Sequence, residues 1–185
     1  MHIAILVVDM LQDFFTEGRL LENKGALTNN INELTSMARV NGIPVIWVRQ
    51  EFKPDLSDAF LGIRNGKSKV VTIAGTTGAQ LLPELHTEQS DHEIIKKRYS
   101  AFFGTSLKQL LDEMGVDTLV ICGVNTHACV RMAAIDAYQY DYNVLLATDC
   151  TCSYDEEHHR VTMKYLSGVI AVLQTNEQLS VLLKK

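Results

Sequence analysis

Three side chains that could carry out covalent catalysis stand at or just after the ends of apolar runs in the sequence. They are an aspartate, Asp9, a lysine, Lys96, and a cysteine, Cys129. A thiolate is a strong nucleophile, a carboxylate can take its proton and later activate a water, and an ammonium group stabilises both anions. If these groups meet, they could add a thiol to a carbonyl carbon and then hydrolyse the thioester that results.

Each of the three residues also has a structural explanation when it is considered alone. Asp9 could cap a turn, Lys96 could be a solvated member of the basic triplet at 96–98, and Cys129 could pack in the core, as most buried cysteines do. Cys129 also stands at the start of a predicted helix, where unpaired N–H groups and the helix dipole are expected to lower its pKa. The catalytic interpretation therefore depends on the three groups reaching one place.

The elements predicted around these residues bring them to one edge of one sheet. Short β-rich runs alternate with helical patterns, which indicates an α/β fold, a three-layer Rossmann-like sandwich with a mostly parallel six-stranded sheet and helices on both faces. Ligands bind at the carboxyl ends of such strands, and Asp9, Lys96 and Cys129 follow the first, third and fourth strands. The strands are predicted at 3–8, 45–48, 92–96, 118–122, 143–148 and 169–173, and the helices at 25–41, 106–114, 126–140, 154–167 and after Thr175. The stretch 50–84 is the expected excursion from this core.

Length and composition limit the class of protein. The chain has 185 residues, a net charge of −5 and 46% hydrophobic residues, which predicts a single globular domain over residues 1–185. A mildly acidic chain is a poor binder of nucleic acid, and no apolar run is long enough for a membrane span. The four cysteines show no disulfide framework, and the N-terminus does not resemble a signal peptide, so a cytoplasmic protein with reduced thiols is expected.

Three segments around the candidate residues form motifs: residues 7–15 (VVDMLQDFF), 96–105 (KKRYSAFFGT) and 123–130 (GVNTHACV). These motifs resemble those of the isochorismatase-like cysteine hydrolase superfamily, with weaker matches at 77–85 and 147–150. That superfamily includes nicotinamidases, N-carbamoylsarcosine amidohydrolases, ureidoacrylate and biuret hydrolases, and true isochorismatases. The resemblance covers almost the whole chain. It implies a hydrolase that acts on a small molecule and assembles as a homo-oligomer, a dimer or larger.

The resemblance also assigns roles to individual residues. The family's Asp–Lys–Cys triad falls on Asp9, Lys96 and Cys129, and Lys96 is preferred to Lys97 because it stands three places before Tyr99. Strand alternation agrees, since adjacent residues of a strand point to opposite faces.

The turn before the cysteine has a part in the same scheme. The family implies a cis peptide bond between Val124 and Asn125, and an oxyanion hole formed by the backbone N–H groups of Asn125 and Cys129. Asn125 and His127, which flank this turn, are expected to shape the pocket.

The presence of Cys129 favours one of the family's reactions. True isochorismatases lack this thiol, so its presence favours hydrolysis of an amide or ureide C–N bond through a thioester. Nicotinamidases usually bind a metal through an Asp-x-His motif and a further histidine, whereas residues 47–52 (WVRQEF) contain no histidine. No metal and no other cofactor is therefore expected. Isochorismatase-type cleavage of a vinyl-ether C–O bond, and a non-catalytic binding protein derived from the family, are the alternatives.

Six further residues lie near the relevant strand ends and are candidates for contact with the substrate. Arg49 could bind a substrate carboxylate in a bidentate manner or pair with Glu51 or Asp55. For the aromatic residues, packing in the core is about as good an explanation as substrate contact. The six candidates are Gln12, Phe15, Trp47, Arg49, Tyr99 and Phe102.

Overall fold

A computed structural model describes residues 1–184 and centres on one six-stranded sheet. Its strands are β1 (Ile3–Val8), β2 (Val45–Gln50), β3 (His92–Lys96), β4 (Thr118–Gly123), β5 (Asn143–Thr151) and β6 (Val172–Gln174). They lie in the order β3-β2-β1-β4-β5-β6, and every neighbouring pair is parallel. The predicted α/β fold with a six-stranded parallel sheet is confirmed.

Helices cover both faces of this sheet. They are α1 (Gly18–Val40), α2 (Leu61–Arg64), α3 (Leu107–Glu113), α4 (Arg131–Gln139), α5 (Glu156–Leu166) and α6 (Asn176–Leu182). Alternate side chains of β1 enter two separate cores, with Leu6 packed on the side of α3, α4 and α5, and Val7 on the side of α1 and α6. The central strands β1 and β4 are therefore buried on both faces, which explains their uninterrupted apolar sequences. Among residues 1–184, no helix combines the length and apolar character that crossing a bilayer needs.

The first helix is longer than the sequence pattern predicts. It begins at Gly18 rather than at residue 25, because Leu20 packs in the same core as Leu27 and extends the apolar stripe by two turns. Gly25, interpreted as the helix start, is an exposed interior position with no atom within 4 Å of a Cβ placed there. A glycine inside the helix was thus taken for its first residue.

The last two strands also differ from their predicted bounds. β5 continues three residues beyond 148, to Thr151, and β6 occupies Val172–Gln174 instead of 169–173. The start of α6 agrees with its prediction, since the Thr175 side chain accepts a hydrogen bond from the N–H of Gln178 and forms a capping box.

Residues 51–91 form the excursion between β2 and β3. The segment contains α2, one short 3-10 turn and a small apolar cluster around Phe52. Asp13 anchors it to the end of β1, since its carboxylate accepts a hydrogen bond of 2.6 Å from the N–H of Thr72. The same carboxylate leaves no room for a side chain at Gly78, where a Cβ would lie 2.1 Å from Oδ1. The excursion is therefore held against the carboxyl edge of the sheet.

Candidate active site

The three residues predicted to be catalytic meet at the carboxyl edge of the sheet. Lys96 Nζ lies 2.6 Å from Asp9 Oδ2 and 3.4 Å from Cys129 Sγ. Asp9 and Lys96 are fully buried, and Cys129 is 4% exposed. Removing either charge from water costs several kcal/mol, so such groups are rarely buried unless they are paired. The lysine ammonium contacts both the carboxylate and the thiol.

Asp9 is held in place by hydrogen bonds to the backbone of β2. It lies directly after β1 with φ +54°, a left-handed conformation that is uncommon for a residue with a side chain, and its N–H donates to the carbonyl of Val48. Its Oδ1 accepts a hydrogen bond of 2.7 Å from the N–H of Gln50. Among residues 1–184, Oδ2 has no hydrogen-bond donor beyond its ion pair with Lys96. One oxygen therefore fixes the carboxylate, and the other faces the Lys96 ammonium.

Strand alternation determines which lysine reaches the site. In the sheet register Gln50 of β2 pairs with Lys96 of β3, which places these two side chains on the same face. Lys97 turns away and forms an ion pair of 3.1 Å with Asp58 in the excursion. The structure thus places Lys96, the lysine preferred from the sequence, beside the thiol.

Cys129 lies in the turn that follows β4. Gly123 has φ +106°, and a Cβ there would lie 2.0 Å from the carbonyl oxygen of Val8, so only glycine permits this close approach of β4 to β1. The Val124–Asn125 peptide bond is cis, as the resemblance implies. Residues Thr126–Val130 form a π-helical turn rather than the start of the predicted helix, and α4 begins after it. Turns of this kind are frequent at functional sites.

Burial changes the expected ionisation of the thiol. Burial raises the pKa of Cys129 well above its ordinary value, the Lys96 ammonium lowers it, and the Asp9 carboxylate raises it further. The expectation of a lowered cysteine pKa is therefore wrong, because loss of solvent outweighs the helix terminus and the lysine. Burial alone would lower the pKa of Lys96, but the nearby Asp9 and Cys129 raise it by more, so the pKa of Lys96 is raised overall. The raised pKa favours a neutral thiol beside the Asp9–Lys96 ion pair.

Cys129 lines a cavity of about 510 Å³, a volume typical of sites for small molecules. Part of its wall comes from the excursion, and part comes from the segments that follow β4 and β5. Apolar and aromatic side chains share the wall with a few polar groups. The aromatic residues are Phe14, Phe60, Tyr99 and Tyr154, and the polar ones near the thiol are Gln50, Asn125 and His127. The cavity suits a small molecule with an apolar part and a few hydrogen-bonding groups.

Of the six candidates for substrate contact, Tyr99 lines this cavity and the other five lie outside its wall. Phe15 and Phe102 are core residues on opposite faces of the sheet. Gln12 donates a hydrogen bond of 3.2 Å to the carbonyl of Leu81 and so joins the excursion to the end of β1. For the phenylalanines, packing is the explanation that the structure supports.

Trp47 and Arg49 lie outside the cavity because their side chains point to the other face of the sheet. They are separated from Gln50 by an odd number of positions in β2, and Gln50 is on the same face as Lys96. Trp47 Nε1 donates a hydrogen bond of 2.8 Å to Asp91. Arg49 forms an ion pair of 2.7 Å with Glu93, which raises its pKa, and it is not free to bind a substrate carboxylate.

Gln50 and Tyr154 both line the cavity, and neither was predicted from the sequence to contact the substrate. For Gln50 a signal was present, because it is the last residue of its strand and has the same position in β2 as Lys96 has in β3. Using that signal requires the register between two strands, and a single sequence does not provide it. Tyr154 carries no comparable signal, since it follows a strand whose end was predicted three residues too early.

Within residues 1–184, no group of three or more His, Cys, Asp or Glu side chains is arranged to hold a metal ion. The absence of a metal requirement stays a prediction.

Comparison with known proteins identifies the family of the chain. The Isochorismatase domain family matches residues 3–178 of the chain. The chain belongs to the isochorismatase family. A relative from Arabidopsis thaliana, named a probable inactive nicotinamidase, is 40% identical over 173 residues that cover 90% of this chain and 88% of that protein.

Solved structures of the isochorismatase family superpose over nearly the whole chain. An isochorismatase family protein from Desulfovibrio vulgaris has a TM-score of 0.88 and 28% identity, covering 100% of this chain and 99% of its own. An N-carbamoylsarcosine amidase from Thermoplasma acidophilum has a TM-score of 0.80 and 26% identity, covering 96% of this chain and 98% of its own. The family membership that three motifs predict is confirmed.

Proposed function

We propose that this isochorismatase-family protein is a metal-independent cysteine hydrolase that cleaves the C–N bond of a small amide or ureide through a thioester. The observation that carries the proposal is the contact of the Lys96 ammonium with both the Asp9 carboxylate and the thiol of Cys129, which lines the cavity. The similarity to an N-carbamoylsarcosine amidase, a protein named for C–N chemistry, supports it.

The first half of the reaction starts from a neutral thiol. Asp9 takes the S–H proton as the Cys129 sulfur attacks the carbonyl carbon, and the carbonyl oxygen becomes negatively charged. Backbone N–H groups of Asn125 and Cys129 donate hydrogen bonds to this oxygen. Asp9 then passes its proton to the substrate nitrogen. The C–N bond breaks, ammonia or an amine leaves, and the acyl group remains on sulfur.

The second half of the reaction restores the enzyme with one water molecule. Asp9 takes a proton from the water as the water oxygen attacks the thioester carbon. The C–S bond then breaks, and the acid product leaves. The sulfur departs as a thiolate and receives the proton from Asp9. Lys96 holds a positive charge beside whichever of the two groups is negative, so neither anion is buried alone.

A screen for ammonia release tests the proposal. The full chain is incubated with small amides and ureides, and the same screen is run with Cys129→Ala and with Cys150→Ser. Cys150 is a buried cysteine whose thiol donates a hydrogen bond to Asn176, and it lies outside the cavity, so its variant is the matched control. Turnover should be lost in Cys129→Ala and kept in Cys150→Ser, with similar thermal unfolding for both. Turnover that persists in Cys129→Ala would exclude the mechanism.

The Arabidopsis relative named a probable inactive nicotinamidase favours a second candidate function, a non-catalytic binding protein. In that case compounds from the same panel would bind to the chain, as measured by calorimetry, without release of ammonia. Isochorismatase-type C–O cleavage would instead give turnover of a vinyl ether that iodoacetamide does not inhibit.

A further inference from the structure

A chain of hydrogen bonds links the segment after β5 to the turn that carries the nucleophile. His127 Nδ1 lies 2.5 Å from Ser153 Oγ, and His127 Nε2 lies 3.2 Å from the hydroxyl oxygen of Tyr154. The backbone N–H of Tyr154 also donates a hydrogen bond of 3.1 Å to Asn125 Oδ1. Both nitrogens of the imidazole are therefore engaged, and neither is free to contact a substrate.

The direction of these hydrogen bonds follows from the burial of Ser153. Its side chain is fully buried, and among residues 1–184 its hydroxyl contacts one hydrogen-bonding group, His127 Nδ1. A buried hydroxyl that does not donate leaves a polar hydrogen unsatisfied, at a cost of about 1–3 kcal/mol. Ser153 therefore donates to Nδ1, and the imidazole proton is on Nε2, where it donates to the oxygen of Tyr154. Within the described residues 1–184, the hydroxyl hydrogen of Tyr154 is then left without an acceptor.

A neutral imidazole is required for this arrangement, and its surroundings favour one. Burial lowers the pKa of His127, and nearby His158 and Arg131 lower it further, against an opposing effect of Asp155. The His158 ring lies 5.0 Å from the His127 ring. At neutral pH His127 can therefore accept from Ser153 and donate to Tyr154 at the same time.

Tyr154 and His127 line the same cavity as Cys129. We propose that the Tyr154 hydroxyl donates a hydrogen bond to a second acceptor on the substrate, separate from the scissile carbonyl, and that His127 is a positioning residue for this hydroxyl. The acceptor is a carboxylate, a carbonyl or a ring nitrogen. It lies on the β5 side of the thiol, because Tyr154 follows β5 and Cys129 follows β4. This inference rests on the proposed function and narrows its substrates to amides or ureides with such an acceptor.

The tautomer of His127 can be measured without any substrate. Nitrogen-15 NMR of the full chain at neutral pH should show Nε2 protonated and Nδ1 unprotonated. Ser153→Ala, which removes the donor to Nδ1, should shift the Nδ1 signal and leave that of His86, a histidine outside the cavity, unchanged. A proton on Nδ1 in the unsubstituted protein would overturn the proposed hydrogen-bond direction.

Matched pairs of ligands test the role of Tyr154. Succinamate and butyramide differ by a carboxylate in place of a methyl group, and nicotinamide and benzamide differ by a ring nitrogen in place of C–H. Binding is measured by calorimetry in Cys129→Ala, which holds these amides unreacted, with and without Tyr154→Phe. Tyr154→Phe should weaken binding of the acceptor-bearing member of at least one pair by about tenfold, the effect of one hydrogen bond, and leave its partner unchanged.

Two variants separate a positioning role from a structural one. His127→Ala should reproduce the selective loss of Tyr154→Phe, and His127→Gln, which can still donate to the tyrosine, should restore part of it. Tyr165→Phe is the matched control, since Tyr165 lies on α5 against Arg131 and outside the cavity. Equal weakening of both members of every pair, or no weakening of any, would overturn the inference. Failure of the proposed function would appear differently, as selective binding to a wild-type protein that releases no ammonia.

Discussion

Replacing Lys96 by methionine should abolish turnover and also destabilise the fold, and the size of the second effect follows from the geometry. The ammonium lies 2.6 Å from the Asp9 carboxylate, and neither group is exposed. At an effective dielectric constant of about 20, the attraction at this distance is about 6 kcal/mol. Desolvation offsets much of that attraction while the pair is intact. Removing the lysine alone leaves a buried, uncompensated carboxylate, and the free energy of unfolding should fall by about 3–5 kcal/mol.

Denaturant unfolding at pH 7 measures this loss, with Lys97→Met as the matched control. Lys97 pairs with Asp58 near the surface, and its loss should cost less than about 1 kcal/mol. The double variant Asp9→Asn/Lys96→Met removes both charges. It should recover most of the stability that the single variant loses and remain inactive.

Two results would refute this reasoning. One is a Lys96→Met variant as stable as Lys97→Met, which would mean that Asp9 is not electrostatically dependent on the lysine. The other is a double variant no more stable than the single one, which would attribute the loss to packing rather than charge. If the single variant does not fold at all, comparison of the double variant with the wild type still measures the net contribution of the pair.

Four other expectations follow from particular contacts. The pKa of Lys96 is raised in the folded protein, so the stability from its ion pair is present below about pH 10.4 and is lost as the pH rises through the pKa of the folded state. The difference in free energy of unfolding between wild type and Lys96→Met should therefore close in strong alkali. Iodoacetamide labelling of the raised-pKa thiol Cys129 should be slow at pH 7 and accelerate with pH, and mass spectrometry should find it labelled before Cys122, a fully buried core residue outside the cavity. Gly25→Ala should stabilise the protein by about 0.5–1 kcal/mol in denaturant unfolding, whereas Gly123→Ala should destabilise it by more than about 1 kcal/mol, since the first has space and the second does not. Light scattering should give a mass of at least two chains of 20.7 kDa each, and a monomer would contradict the homo-oligomer that the resemblance implies.

The parts of the fold that could be predicted from the sequence are those that local pattern determines. The first strand and the third were placed correctly. The first is an uninterrupted apolar run that ends at a polar residue, and the third has two isoleucines, Ile94 and Ile95, directly before a run of basic residues. Asp9 and Lys96 stand at those ends, and the parallel sheet brings such ends together whatever the loops between them do. The contact of the two groups was therefore predictable, although the distance between them was not.

The parts that could not be predicted depend on register, on turn geometry or on burial. Arg49 and Gln50 are adjacent, and only the pairing of Gln50 with Lys96 decides which of them reaches the cavity. The orientation of Tyr154 depends on hydrogen bonds to a turn far away in the chain. The pKa of Cys129 depends on how completely the thiol is removed from water, which no local pattern records.

The raised pKa of the thiol changes what the neighbouring groups have to do. A thiolate at rest would need only a cation beside it, and Lys96 alone could supply that. A neutral thiol needs a base in place before attack. Asp9 can supply it, since the N–H of Gln50 fixes one carboxylate oxygen and, among residues 1–184, the other has no donor beyond the Lys96 ammonium. The left-handed backbone of Asp9 and its buried charge both act against stability. A role in proton transfer explains why both occur at one residue better than a contribution to the stability of the core does.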